Sequence, residues 1–198
     1  MLSEKLKGYK LILASGSPRR QQFMRDLNVD FEIRLKEIEE IYPDNLKGAE
    51  ITDFLARLKA DSLQDTLSKN EIVITSDTIV WHEGKALGKP QDYADAFAML
   101  QSLSGKTHEV ITSVCITDSE HSKVFNETTK VTFYTLQDEE IKYYLDNYKP
   151  FDKAGSYGIQ EWIGLIAIAK IEGSYANVVG MPVDKLYRQL TDFTENKK

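Results

Sequence analysis

The chain has 198 residues, 41% of them hydrophobic and 28% charged, and carries a formal net charge of −6. That balance is too apolar for a disordered segment, and its negative field repels nucleic acid and anionic membrane surfaces instead of gathering them. Cys115 stands alone, so no internal disulfide forms and no Cys/His zinc spacing exists, which fits a reducing, cytoplasmic setting. The apolar run Leu11 to Ala14 is too short for a signal-peptide core, and Ile163 to Ala169 falls far short of the roughly 20 residues that a membrane helix needs. The expectation is one domain over residues 1–198 with no nucleic-acid partner and no membrane segment.

Tyr9 to Ala14 reads as a buried strand that SGSPRR ends abruptly. A helix follows to about Asn28, with Ser17 as N-cap, Pro18 at its first position and Phe23, Met24 and Leu27 on its apolar face. DFEIRLKEI alternates as a second strand, and EEIYPDNLKG makes an acidic loop before a helix over Glu50 to Leu67 that repeats Ile51, Phe54, Leu55, Leu58 and Leu63. EIVITSDTIVW is a strand with a polar interruption, and HEGKALGKP is turn-rich enough for a hairpin tip. Asp92 caps the next helix, whose face is Tyr93, Phe97, Leu100 and Leu103 and whose terminal glycine is Gly105. HEVITSVCIT and VFNETTKVTFYT flank DSEHSK as an antiparallel hairpin, and a tyrosine-rich helix runs from Asp138 to Tyr148. After the loop FDKAGSYGIQ come a strand IGLIAIAKI, a loop GSYANVVGMP and a last helix with Val183, Leu186, Tyr187, Leu190 and Phe193 inward; TENKK reads as a frayed tail. Alternating strands and helices around a hairpin predict an α/β fold on a mixed sheet.

Chemistry concentrates in four places. ASGSPRR, between a strand and a helix, aims unpaired backbone N–H groups and a helix dipole at one spot, and Arg19 and Arg20 add permanent charge. This suits an anion; a capped helix with two solvated arginines is the plainer alternative, and the spelling excludes a Walker-type loop. Asp77 interrupts an interior strand, so a cation must compensate it, or it must protonate, unless it only caps a turn with Ser76 and Thr78. Lys85 and Lys89 follow closely. The phosphatase pattern with a second Asp two positions on is excluded, since Ile79 stands there. Glu39 and Glu40 with Asp77 could form an oxygen-rich Mg²⁺ site, although acidic loops are commonly just solvated. Lys59 lies at the polar edge of its helix, the ordinary place for a surface lysine. KAGSYGIQ offers Lys153, glycines that admit a close ligand, and Gln160, which can donate and accept on one edge; a structural turn explains it equally well. His82, His108 and His121 share no catalytic or ligand spacing and read as surface or strand-edge residues, while IKYYLDNY reads as a packed helix face or a subunit contact.

Taken together and in this order, LILASGSPRRQQFMRDL, ITSDTIVWHEGKALGKPQDYADAFAMLQSLSGKTHEVITSV, DKAGSYGIQ and IEGSYANVVGMPV closely resemble the Maf family of nucleoside triphosphate pyrophosphatases, from about Leu11 to Pro182. The resemblance implies a two-lobed α/β fold with a cleft over a mixed sheet, a cytoplasmic and usually dimeric protein, a divalent metal (Mg²⁺ or Mn²⁺), and hydrolysis of a nucleoside triphosphate to the monophosphate and pyrophosphate. It puts the proton acceptor on Asp77, the acidic loop residue on Glu40, the helix lysine on Lys59 and the GKP lysine on Lys89, with Glu40 and Asp77 as metal ligands. Ser15, Ser17, Arg19, Arg20, Thr78, Lys153 and Gln160 become substrate-binding residues. Two departures from the family pattern are mild: Gly16 where many members have Ala, and Glu39-Glu40 where many have Asp-Glu.

Arg19, Thr78 and Gln160 resemble the dTTP/UTP-hydrolysing members, whereas the 7-methyl-GTP branch tends to have Trp and Glu at the first and last of these positions. A glutamine amide pairs with the mixed donor and acceptor edge of uracil or thymine, while a carboxylate suits guanine's donors. Pyrimidine triphosphates, modified ones included, are therefore the expected substrates. 7-methyl-GTP hydrolysis and a nucleotide-binding inhibitor of septum formation without turnover are the alternatives.

Overall fold

The computed structural model describes residues 1–195, so the last three residues of the expected tail lie outside the described residues. Its strands are β1 (Lys10–Leu13), β2 (Phe31–Ile33), β3 (Glu71–His82), β4 (Lys85–Leu87), β5 (Thr107–Thr117), β6 (Ser122–Phe133) and β7 (Ile168–Glu172). They form one sheet in the order β2-β1-β3-β5-β6-β7, with β4 attached to β3. β1 pairs in parallel with both β2 and β3, while β4 on β3 and β7 on β6 are antiparallel, so the sheet is mixed as expected. The helices are α1 (Leu2–Lys5), α2 (Pro18–Asp26), α3 (Ala49–Gln64), α4 (Tyr93–Leu103), α5 (Asp138–Tyr148), α6 (Trp162–Ile166), α7 (Tyr175–Val179) and α8 (Val183–Glu195). No helix among the described residues is long and apolar enough to cross a membrane.

The chain groups into two compact units, and both are discontinuous in sequence. The first takes Met1–Asp77, Thr112–Asn126 and the chain from Gly180 on; the second takes Thr78–Ile111 and Glu127–Val179. In the first unit β1 is apolar from Leu11 to Leu13, where both of its faces are buried. Leu11 and Leu13 join Ile72, Ile74, Met24, Met181, Leu186 and Leu190 in one core, while Ile12 packs with Val73, Leu63 and Leu67 in another. Alternation along β3 then sets the site: Val73 packs with Leu63 of α3, and Thr75 donates to the α3 carbonyl of Ala56 at 2.6 Å. Asp77, two residues on, points to the same side.

Four expectations are corrected. IGLIAIAKI is not one strand: its first half is helix α6, and only Ile168–Glu172 is strand. GSYANVVGMP contains helix α7. His82 and His108 are buried, and Tyr93 and Tyr187, read as inward, stay about 40% exposed.

Candidate active site

β1 ends at Leu13 opposite Ile74 of β3, while β3 runs on past it, so Asp77, three residues after Ile74, lies just beyond the carboxyl end of β1, the kind of place where open α/β sheets bind ligands. In the turn after β1 Ser17 caps α2, its hydroxyl accepting from the Arg20 N–H, and Pro18 opens the helix. Ser15 Oγ accepts from the Ser17 N–H at 3.3 Å. The Arg20 guanidinium ties the turn to its surroundings, donating from Nη1 to Ser15 Oγ at 3.3 Å and to the Ser76 carbonyl at 3.0 Å, and from Nε to the Gly180 carbonyl at 2.9 Å. Burial depresses its pKa, Arg19 adds to that, and the charges of Asp77 and Glu40 oppose it. A guanidinium nevertheless stays protonated, so a fixed cation lies beside the carboxylates.

Asp77 is buried, and the cation that compensates it is Lys59, which reaches from α3 to place Nζ 2.7 Å from Asp77 Oδ1. The same Nζ lies 3.0 Å from Glu40 Oε1. Of the acidic pair, Glu40 is therefore the residue that joins the lysine. The structure thus brings Ser15, Ser17, Arg20, Glu40, Lys59 and Asp77 together within the first unit. The lysine bridge was not legible locally, because Lys59 and Asp77 meet only when α3 folds over β3.

Arg19 also lies in the first unit, on α2, whereas Thr78, Lys89, Lys153 and Gln160 belong to the second. Thr78 continues β3, and Lys89 and Gln160 are exposed. The loops bearing Lys89 and Lys153 are joined where the Gly155 N–H donates to the Gly88 carbonyl at 3.0 Å. Gly155 has φ +66, and a Cβ there would lie 2.7 Å from Val80 Cγ2, so the position requires glycine. Tyr157 anchors the loop from below, sharing a 2.7 Å hydrogen bond with His108 Nε2. Burial pushes His108 down to about 3, which keeps this imidazole neutral. Lys153 Nζ sits between Asp152 Oδ1 at 2.7 Å and Glu161 Oε1 at 3.0 Å. Glu161 carried no signal in the sequence.

Among the described residues no cluster of three or more His, Cys, Asp or Glu forms a protein-only metal cage. Asp77 and Glu40 nevertheless fit a divalent cation: Asp77 Oδ2 lies outside the bond to Lys59, and Mg²⁺ prefers one or two carboxylates completed by phosphate oxygens and water. A nearby helix start, a buried carboxylate with a lysine, and a fixed guanidinium form an arrangement that can bind a polyanion and accept a proton.

Residues 10–193 match the profile of the family described as Maf-like protein. The chain belongs to the Maf family. Within the Maf family it is 62% identical over 191 residues to a protein named dTTP/UTP pyrophosphatase in Flavobacterium johnsoniae, covering 96% of this chain and 98% of the relative. A protein of the same name in Flavobacterium psychrophilum is 62% identical over 194 residues, covering 98% of this chain and all of the relative (100%). Among solved structures, a HAM1 protein from Coxiella burnetii superposes with a TM-score of 0.51 at 15% identity, covering 93% of this chain and 99% of that one. That likeness concerns the fold alone, and it agrees with the mixed α/β architecture of this Maf protein.

Proposed function

We propose that this chain hydrolyses dTTP and UTP to the monophosphate and pyrophosphate. The observation that carries the reading is the Lys59 bridge between buried Asp77 and exposed Glu40, built beside a helix start whose turn Arg20 locks to the same strand. A binding protein without turnover needs the helix start but has no use for a buried carboxylate bridged by a lysine to a second one. The names of the Flavobacterium relatives, at 62% identity over nearly the whole chain, support the choice of pyrimidine triphosphates.

In this reading the polyphosphate lies at the Ser15–Ser17 turn and the α2 start, where N–H groups and the dipole favour anions. Lys59 orients Asp77 through their ion pair, and Asp77 positions a water and takes its proton as the water attacks the α-phosphorus in line, with pyrophosphate leaving. Asp77 and Glu40 would hold the divalent cation, which supplies Lewis-acid neutralisation of the polyphosphate charge. The proposal assigns Lys89 to the polyphosphate and Arg19, Thr78 and Gln160 to the choice of substrate, and it takes Lys153 as part of the loop that bears Gln160. A homodimer in the cytoplasm belongs to the same proposal and rests on the family resemblance.

The test is pyrophosphate release from dTTP, UTP, GTP and 7-methyl-GTP with Mg²⁺ or Mn²⁺. Release from dTTP and UTP above the others is expected. Cleavage of 7-methyl-GTP alone would overturn the reading of Arg19 and Gln160, and binding without cleavage would overturn hydrolysis.

A further inference from the structure

The loop bearing Gln160 is closed by a latch of which only Lys153 figures among the substrate assignments, while Glu161 and Tyr144 do not. Glu161, the next residue, uses both of its carboxylate oxygens inside the protein: Oε1 accepts from Lys153 Nζ at 3.0 Å, and Oε2 accepts a short bond from the Tyr144 hydroxyl. The Tyr144 oxygen in turn accepts from the Gly158 N–H at 3.0 Å. One carboxylate therefore holds the start of the loop through Lys153, its middle through Tyr144 and Gly158, and its end covalently. Burial and the Glu161 charge push the Tyr144 phenol upward, so it remains a donor at neutral pH.

The glycine in the centre fits the same device. A Cβ on Gly158 would lie 2.9 Å from Glu161 Cδ and 3.0 Å from Lys153 Cε, so the ion pair is packed directly across it. Tyr144 is fully buried in α5 and stacks on Tyr148, a rigid post against which the loop is held. Exposed Gln160 stands immediately before the latch.

We propose that Glu161 is a positioning residue for base recognition, which fixes the amide of Gln160 by latching Lys153 and Tyr144 across Gly158. The inference rests on the pyrophosphatase reading and deepens it: Gln160 reads the base, and Glu161 holds it in place to do so. A carboxylate beside the reading edge would favour guanine donors, and the latch keeps this one turned into the protein.

The experiment compares UTP with inorganic tripolyphosphate, which carries no base, on the full-length protein. Glu161→Ala is expected to raise KM for UTP about tenfold with kcat within about twofold, while the inhibition constant of tripolyphosphate stays unchanged. Gly158→Ala, which leaves every charged side chain in place, should move the same constants in the same direction. Glu161→Gln, still able to bond Tyr144, should recover part of the loss. An unchanged KM for UTP, or equal weakening of UTP and tripolyphosphate, would overturn the positioning role. If the wild type released no pyrophosphate, the hydrolase reading would fall; titration-calorimetric Kd values for UTP and tripolyphosphate on the same variants would still decide the latch, and absence of UTP binding by the wild type would overturn it as well.

Discussion

At the scale of single residues, Asp77 is the position on which most depends. A buried carboxylate is tolerable only with a partner, and Lys59 at 2.7 Å is that partner. Asp77→Asn should keep the fold and lower kcat by ~10²-fold or more, checked by pyrophosphate release beside a thermal melt. Lys59→Met leaves the carboxylate uncompensated and should destabilise the protein by roughly 2 kcal/mol or more, read from denaturant unfolding. The double variant Lys59→Met/Asp77→Asn should regain much of that stability while remaining inactive, because the charge that needed compensation is gone. If the double variant is as unstable as the sum of the two single ones, the pair is not coupled. Asp77 was legible in the sequence as a polar break in an apolar strand. Its partner was not, since helical periodicity shows which face is buried but not which strand residue a lysine at the edge of that face will meet.

At the scale of elements, the β1, β2 and β3 edge is fastened by ions. Arg34 grips Glu71 with Nη2 to Oε1 at 2.7 Å and Nη1 to Oε2 at 3.3 Å, and Lys10 bonds Glu32 across the same strands. Arg34 and the Ser68 N–H hold the Glu71 carboxyl at about 2. The folded-state pKa lies below the unfolded one, so this stabilisation is fully present above the ordinary carboxylate range near 4.5 and is lost as pH falls towards 2. Melting temperatures between pH 2 and 5 should therefore drop more steeply for the wild type than for Glu71→Gln.

The other instructive element is α6. Its apolar run reads as strand, yet the chain turns back so closely that a Cβ on Gly164 would lie 1.8 Å from the Ile159 carbonyl oxygen. The Gly164 N–H also donates to the Glu161 carbonyl, closing the first turn. Gly164→Ala should cost more than about 2 kcal/mol in a thermal or denaturant melt, since backbone and not a movable side chain stands in the way. Periodicity of apolar residues cannot reveal such a contact, which explains why the long elements β3, α3 and α5 were legible and α6 and α7 were not. The glycine-rich loop was recognisable as a place for ligand approach. Its latch was not, because Tyr144, Lys153 and Glu161 meet only through the packing of α5 against it.

At the scale of the whole molecule, the net charge of −6 means that a polyanionic substrate is held by local cations and not by the general field. The two units are interleaved, with the chain passing from one to the other at Asp77/Thr78, Ile111/Thr112, Asn126/Glu127 and Val179/Gly180. The first unit draws Met181, Leu186, Leu190 and Phe193 into its core from the final segment. A chain ended at Val179 is expected to lose cooperative melting and nucleotide binding together, measured by calorimetry on the truncated protein.

The bond from Arg20 to the Gly180 carbonyl spans 160 residues of sequence. During synthesis the guanidinium emerges early, and this acceptor follows only 160 residues later. Arg20 can bond Ser15 and Ser76 before that, but its tie to Gly180 waits for the segment that also brings Met181, Leu186 and Leu190 to the core, so a fragment ended at Val179 lacks both.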